Sequence, residues 1–247
     1  MRKCLILILF ISLNSTVFAQ KWGGGVDDEP YHFGFAFQYV SSELKITKSA
    51  NWSDPFLDPQ TGLYVTDPLS SISSRTSPGF GVGLVYNHRL NRVVDIRITP
   101  TLVFNDRIVQ YAYSSPAIVN KDFSYVEKSI ESTMAEIPLT LKLKSDRRKN
   151  FRAYVLLGGK ISIDIASKSK TDDDNRGQIF KYLKGQRNYF SYEAGAGLDW
   201  YFNNFKISPE FKLGYSFSDI ILHDNTPFST PIEKATLRQF TFSLFIE

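Results

Sequence analysis

The chain has 247 residues, 43% hydrophobic and 15% aromatic, a composition that excludes a mainly disordered protein. Its 29 Lys and Arg against 25 Asp and Glu give a net charge of +4, too weak a bias for a nucleic-acid surface, so no nucleic-acid partner is expected. A single Cys excludes an internal disulfide or a Cys-rich metal site. Beyond residue 20 no charge-free stretch exceeds 13 residues, as from Ile108 to Asn120, short of the roughly 20 apolar residues of a spanning helix.

Met1-Arg2-Lys3 is a short basic segment, followed by an apolar run of ten residues from Cys4 to Leu13. Val17-Phe18-Ala19 then sets up a cleavage site, so residues 1–19 are expected to be a secretory signal peptide cut before Gln20. The alternative is a buried N-terminal helix. Cleavage removes Cys4 and two cations, leaving a net charge of +2 and placing the chain beyond the inner membrane of a bacterial cell. Residues 20–30, with Trp22, Gly23-Gly24-Gly25 and Asp27-Asp28-Glu29, read as a flexible periplasmic segment. Residues 31–247 are left for one β-barrel.

Eight alternating runs follow. In Tyr31 to Tyr39 every odd position is aromatic and every even one small or polar. The second run sets Phe80, Val82, Leu84 and Tyr86 against Gly79, Gly81 and Gly83. The third sets Val94, Ile96, Ile98, Leu102 and Phe104 against Asp95, Arg97, Thr99 and Thr101. The same alternation recurs from Glu136 to Lys144, Arg152 to Asp164, Phe190 to Trp200, Phe205 to Tyr215 and Gln239 to Ile246. Short connections lie near Asn91, at Ser145 to Asn150 and at Asn203-Asn204. Long ones run from about Thr47 to Ser77, Ile108 to Ser124, Ala166 to Arg187 and Phe217 to Lys234. At Asn203-Asn204 a two-residue turn puts Phe202 opposite Phe205 on the greasy face, and Asn tolerates the positive φ of such a turn.

This pattern predicts an all-β fold: an eight-stranded antiparallel up-and-down transmembrane β-barrel with short periplasmic turns and long extracellular loops. The rival is a soluble barrel with its greasy face inward. Glycine-rich faces suit a crowded interior better than a water-exposed one. Four or five bulky apolar groups per strand would also overfill so narrow a lumen. Outer-membrane lipids are therefore expected partners, with both chain termini periplasmic.

Inward positions then carry charges of both signs, among them Arg97, Glu136, Lys142, Lys160, Glu193, Asp199, Lys206, Glu210 and Lys212. The expected arrangement is a filled lumen with charges paired between strands; the alternative is an ion or solute pore.

Catalysis by a small membrane barrel needs a nucleophile or base at the outer-leaflet rim. His32 and His88 fall at the opposite end. His223, with Ser216 and Ser218 nearby, could supply a base and a nucleophile, although a solvated loop histidine is the reading preferred. Asp172-Asp173-Asp174 could attract a divalent cation, but Arg176 and Leu183 occupy positions where a calcium loop needs oxygen ligands. No phosphate-cradling loop or dinucleotide fingerprint occurs. No catalytic residue, metal or cofactor is expected.

The first long loop is unusually apolar. Trp52, Phe56, Leu57, Leu63, Tyr64, Val65 and Leu69 either fold over the barrel mouth or dock on a partner, with Trp52, Phe56 and Tyr64 the candidate contacts.

Several segments together resemble the PorT/SprT family of outer-membrane barrels. They are Tyr31-His32-Phe33-Gly34-Phe35 with Gln38-Tyr39-Val40, Ser77-Pro78-Gly79-Phe80-Gly81, Glu136-Ile137-Pro138-Leu139 and Gly195-Ala196-Gly197-Leu198-Asp199. The alternating Phe240 to Ile246 run likewise resembles the terminal signal read by the barrel assembly machinery. The family resemblance implies an accessory, non-enzymatic part in type IX protein secretion and, in gliding bacteria, motility, with other secretion-machine proteins as partners. The alternative function is a general surface barrel for adhesion or envelope integrity.

Overall fold

The computed structural model describes residues 29–114, 124–166, 173 and 177–247. The expected signal peptide and nearly all of the expected periplasmic tail lie outside the described residues. The described residues form twelve strands: β1 (Tyr31–Lys48), β2 (Leu69–Arg75), β3 (Ser77–Arg89), β4 (Val94–Ile98), β5 (Thr101–Phe104), β6 (Arg107–Tyr113), β7 (Tyr125–Ile130), β8 (Thr133–Lys144), β9 (Phe151–Asp164), β10 (Asn188–Tyr201), β11 (Lys206–Ser216) and β12 (Ile232–Ile246).

Eight antiparallel staves close into a ring, because β4 and β5 are two halves of one stave between β3 and β8. The break falls at Pro100, which has no N–H for the ladder. Its carbonyl still accepts from the Leu84 amide at 3.0 Å, and the neighbouring Thr99 amide donates to Pro138 at 3.2 Å. The face alternation runs through the break unchanged, with Thr99 and Thr101 buried and Pro100 exposed. The ring closes where β12 pairs with β1 in unbroken register from Phe35↔Ile246 to Thr47↔Lys234.

The bulky apolar residues point outward. Phe33, Phe35 and Leu157 are 71%, 61% and 63% exposed, while Gln38, Arg97, Lys142 and Glu193 of the opposite face are buried. In water that arrangement would be inverted, so the wall faces lipid and the barrel spans the membrane. Rings gather at both edges of the wall. Phe151–Trp200, Trp200–Phe202 and Phe202–Phe205 meet at 5.0, 5.5 and 4.7 Å near the short turns. Phe80–Phe104 and Tyr192–Phe217 meet at 5.0 and 5.1 Å towards the long loops. Such belts suit the two interfaces of a bilayer.

The Asn203-Asn204 turn forms as expected, with the Phe202 amide donating to Phe205 at 2.9 Å. It needs no left-handed residue, however. Among described non-glycine residues, positive φ falls on Lys149 and Asn225 instead. A type I geometry closes such a turn with both central residues at negative φ.

The long connections are more ordered than their sequence suggested. β2, β6 and β7 form a separate three-stranded sheet above the mouth. Val109, Tyr111 and Tyr113 of β6 are buried with Leu69 and Ile72 of β2, with Leu183, and with Ile220, Ile221 and Phe228 of the last loop. Val40, Leu44, Val103, Met134 and Leu237 from the staves complete this core. Each large side chain buried here contributes about 1.5–3 kcal/mol. The Tyr111 hydroxyl donates to the Phe228 carbonyl at 2.7 Å, so its polar end is also satisfied.

Inward glycines allow neighbouring backbones to pack closely. A Cβ on Gly195 would overlap the Phe211 carbonyl, and one on Gly158 the Leu139 carbonyl. Neither obstacle is a side chain that can move aside. Gly195→Val is therefore expected to abolish the folded barrel, seen as loss of the faster-migrating band in unheated gel electrophoresis; the outward Ala194→Val should keep it.

Candidate functional site

The lumen is lined by the polar faces of all eight staves, and its charges meet in pairs. Near the short turns the Arg97 guanidinium lies 2.8 Å from Glu210 and 3.2 Å from Glu247, which also pairs with Lys206 at 2.9 Å. The Lys142 ammonium sits 2.7 Å from Asp199, whose carboxylate also accepts the Ser208 hydroxyl at 2.7 Å. Lys144 pairs with Asp95 at 2.5 Å. Higher up, Lys212 pairs with Glu193 at 3.2 Å, and Lys160 with Glu136 at 2.8 Å. None of these side chains is more than 5% exposed.

Aromatic rings fill the space between the pairs. Arg97 lies 4.5 Å from the Phe245 ring centre, and the Lys142 ammonium lies 3.7 Å from that of Tyr154. The Tyr154 hydroxyl donates to Glu210 at 2.9 Å. A charge buried in a low-dielectric wall is costly unless it has a partner at hydrogen-bond distance, and each of these side chains has one.

All nine lumen residues singled out from the sequence lie in these pairs. Glu247 was missed, although it continues the inward positions Gln239, Thr241 and Ser243 of β12. Tyr154 and Phe245 were missed because an inward ring among polar residues breaks the two-face pattern.

Above the pairs the lumen changes character. Ser42 hydrogen-bonds Asn105, Arg107 donates to the Tyr189 hydroxyl at 2.8 Å, and the apolar core of the loops then closes the mouth. Among the loop-one candidates, Trp52 packs partly buried on that core with the Lys48 ammonium 3.6 Å from its ring. Phe56 is half-buried, and Tyr64 is exposed on a hairpin in which Leu57 pairs with Tyr64. Gly62 at φ 67° turns this hairpin, and Leu57 and Leu63 are exposed beside Tyr64. Asp58 braces it by accepting from the Gln60 amide, the Thr61 hydroxyl and Gln178 of the third long loop. The Thr61 and Gln60 hydrogen bonds hold its carboxyl below the usual carboxylate range.

The remaining candidates sit in the loops as braces. His223 lies 2.7 Å from Asp219, whose other oxygen accepts the Ile221 and Ala235 amides. Ser216 serves the backbone, accepting from Leu237 and donating to the Ser218 carbonyl. Of the acidic triplet only Asp173 is described. It accepts from Lys184 at 2.5 Å and from the Tyr182 amide at 2.9 Å. Burial raises its carboxyl, but these bonds outweigh that and hold it low.

Lys142→Met should leave Asp199 buried without its cation. It is expected to cost about 3–5 kcal/mol in urea unfolding from lipid vesicles, and Lys142→Met with Asp199→Asn should recover most of the loss.

A lumen sealed by ion pairs, an apolar outer wall and interface belts together describe an outer-membrane barrel. The chain is similar in structure to OprG from Pseudomonas aeruginosa (14% identity, 87% of this chain and 93% of that one, TM-score 0.44). It is also similar to Neisserial surface protein A (9%, 88% and 99%, TM-score 0.40) and to Ail, the attachment invasion locus protein of Yersinia pestis (12%, 88% and 98%, TM-score 0.33). No curated protein matches the sequence. Residues 31–222 match the family described as outer membrane protein beta-barrel domain, and the chain belongs to that family.

Proposed function

We propose that this barrel is a non-enzymatic accessory of type IX protein secretion, acting through contacts with other proteins and not by conduction. The observation that carries the binding role is the closed interior. Lysine–carboxylate pairs fill the lower lumen and an apolar core covers its mouth. No passage for a folded cargo remains among the described residues, so the surfaces left for function are the loops, the wall and the short-turn end. The PorT/SprT-like segments support the choice of secretion machine. The exposed Leu57, Leu63 and Tyr64 tip supports a contact at the long-loop end, because apolar groups held out in water on a braced hairpin favour burial against a partner.

Two measurements test this. In planar bilayers the purified protein is expected to show no steady ion conductance. From mild-detergent membranes the tagged protein is expected to co-purify secretion-translocon components, and Leu57→Asp with Leu63→Asp should lower their recovery several-fold while leaving the folded gel band unchanged. Normal export of cargo in a deletion strain, with altered attachment or detergent sensitivity, would overturn the secretion role in favour of a general surface barrel.

A further inference from the structure

The lipid-facing wall has a groove of about 620 Å³. Its sides are the outward residues Leu143 of β8, Val155 of β9, Leu198 of β10 and Phe211 of β11, and Ala153 and Ala196 contribute to its lining. The hollow arises because small side chains occupy outward positions that carry bulky groups elsewhere on the wall. Pro209 lies beside it, opposite Leu198, where it cannot donate to the β10–β11 ladder.

The groove reaches Ser145, the first residue of the β8–β9 turn. That turn is Ser145-Asp146-Arg147-Arg148-Lys149-Asn150, with three cations and one acid. Arg147 braces it, donating to the Lys149 carbonyl at 2.8 Å with its guanidinium 4.2 Å from the Tyr201 ring centre. The Arg148 backbone is locked to Phe151 in both directions, at 2.8 and 3.0 Å. Lys149 takes the left-handed conformation at φ 55°, and the Arg148 and Lys149 side chains are both exposed. The adjacent turn adds exposed Arg92 between exposed Leu90 and Val93, and the two turns are joined by the Lys144 amide donating to Val93 at 2.7 Å. Nearby Asp95 is turned into the lumen against Lys144, so it does not neutralise this rim.

An apolar groove in the lipid-facing wall therefore runs into a braced cationic turn at headgroup height. From this juxtaposition we infer that the wall of β8 to β11 holds one anionic phospholipid of the periplasmic leaflet. An acyl chain lies in the groove, and the phosphate is met by Arg148 and Lys149, with Arg92 on the neighbouring turn. An acidic protein would satisfy the cations but would leave the groove unused. A zwitterionic lipid would fill the groove but gain less from the turn. Each basic residue near an anionic bilayer surface is worth about fivefold in affinity, so the Arg148–Lys149 pair should favour an anionic headgroup by about twenty-five-fold.

The test uses the full-length mature protein in nanodiscs of equal phosphatidylglycerol and phosphatidylcholine with identical chains. After release into mild detergent, retained lipids are counted by native mass spectrometry. The wild-type protein is expected to keep one phosphatidylglycerol in strong preference to phosphatidylcholine. Arg148→Gln with Lys149→Asn should bring the two lipids to near-equal retention; Asn is chosen because it tolerates positive φ. Ala153→Leu with Ala196→Leu, both outward, should fill the groove and lose retained lipid of either kind. Unheated gel mobility checks that both variants fold. Equal retention of the two lipids by the wild type, or no retention, overturns the inference. So does a preference unchanged by Arg148→Gln with Lys149→Asn, including the case in which that variant instead strips an acidic protein from native-membrane extracts.

Discussion

A strand that crosses lipid must have every backbone N–H and C=O paired, and the rest of this structure depends on that constraint. An open sheet would leave two edges unsatisfied, so the ladder closes, here through the long β1–β12 seam. Closure with eight staves leaves a lumen only about as wide as its own side chains. Greasy residues then have one place to go, the outer wall. The polar faces that water would otherwise solvate are forced into a narrow interior.

The inward charges can persist there because they come in matched signs from facing staves. Arg97 of β4 reaches Glu210 of β11 and Glu247 beyond β12, across the barrel and far apart in sequence. Lys142 of β8 reaches Asp199 of β10, with β9 and its Tyr154 ring between them. These links tie non-neighbouring staves, while Lys144–Asp95, Lys160–Glu136 and Lys212–Glu193 join adjacent ones, so the lumen network braces the cylinder across its width as well as along its ladders. A rigid plugged cylinder of this kind directs function towards its ends and its wall.

The two ends are built on different principles. At the long-loop end an apolar core, drawn from all four long connections and the staves, covers the mouth, with hydrophilic braces such as Asp58 and Asp173 holding the loops around it. The Leu57, Leu63 and Tyr64 tip stays apolar and exposed above this ordered base. At the short-turn end there is little chain to fold, and the chemistry is that of single turns. Arg147, Arg148, Lys149 and Arg92 gather on two adjacent turns, directly below the hollow in the wall. The barrel thus presents a protein-like surface on one side of the membrane and a charged interfacial rim on the other.

The sequence by itself determined the eight staves, their inward and outward faces and the alternation of short and long connections. A side-chain period of two against a greasy exterior can be read one strand at a time. It also marked the lumen charges, since an ionisable residue within an alternating run has only two faces to choose from. What it left undecided needed partners distant in the chain. β6 was taken as loop because Ile108 and Ala112 are apolar on the face opposite Val109 and Tyr111, which masks the period until β2 and β7 are placed beside it. Trp52 and Tyr64 looked equivalent in sequence, yet one packs on the cap and the other stands at its tip. The partner of each lumen charge and the union of the wall groove with the basic turn were set only by closure of the ring. Which side chains meet across a cylinder depends on stagger and curvature, and no single strand records either.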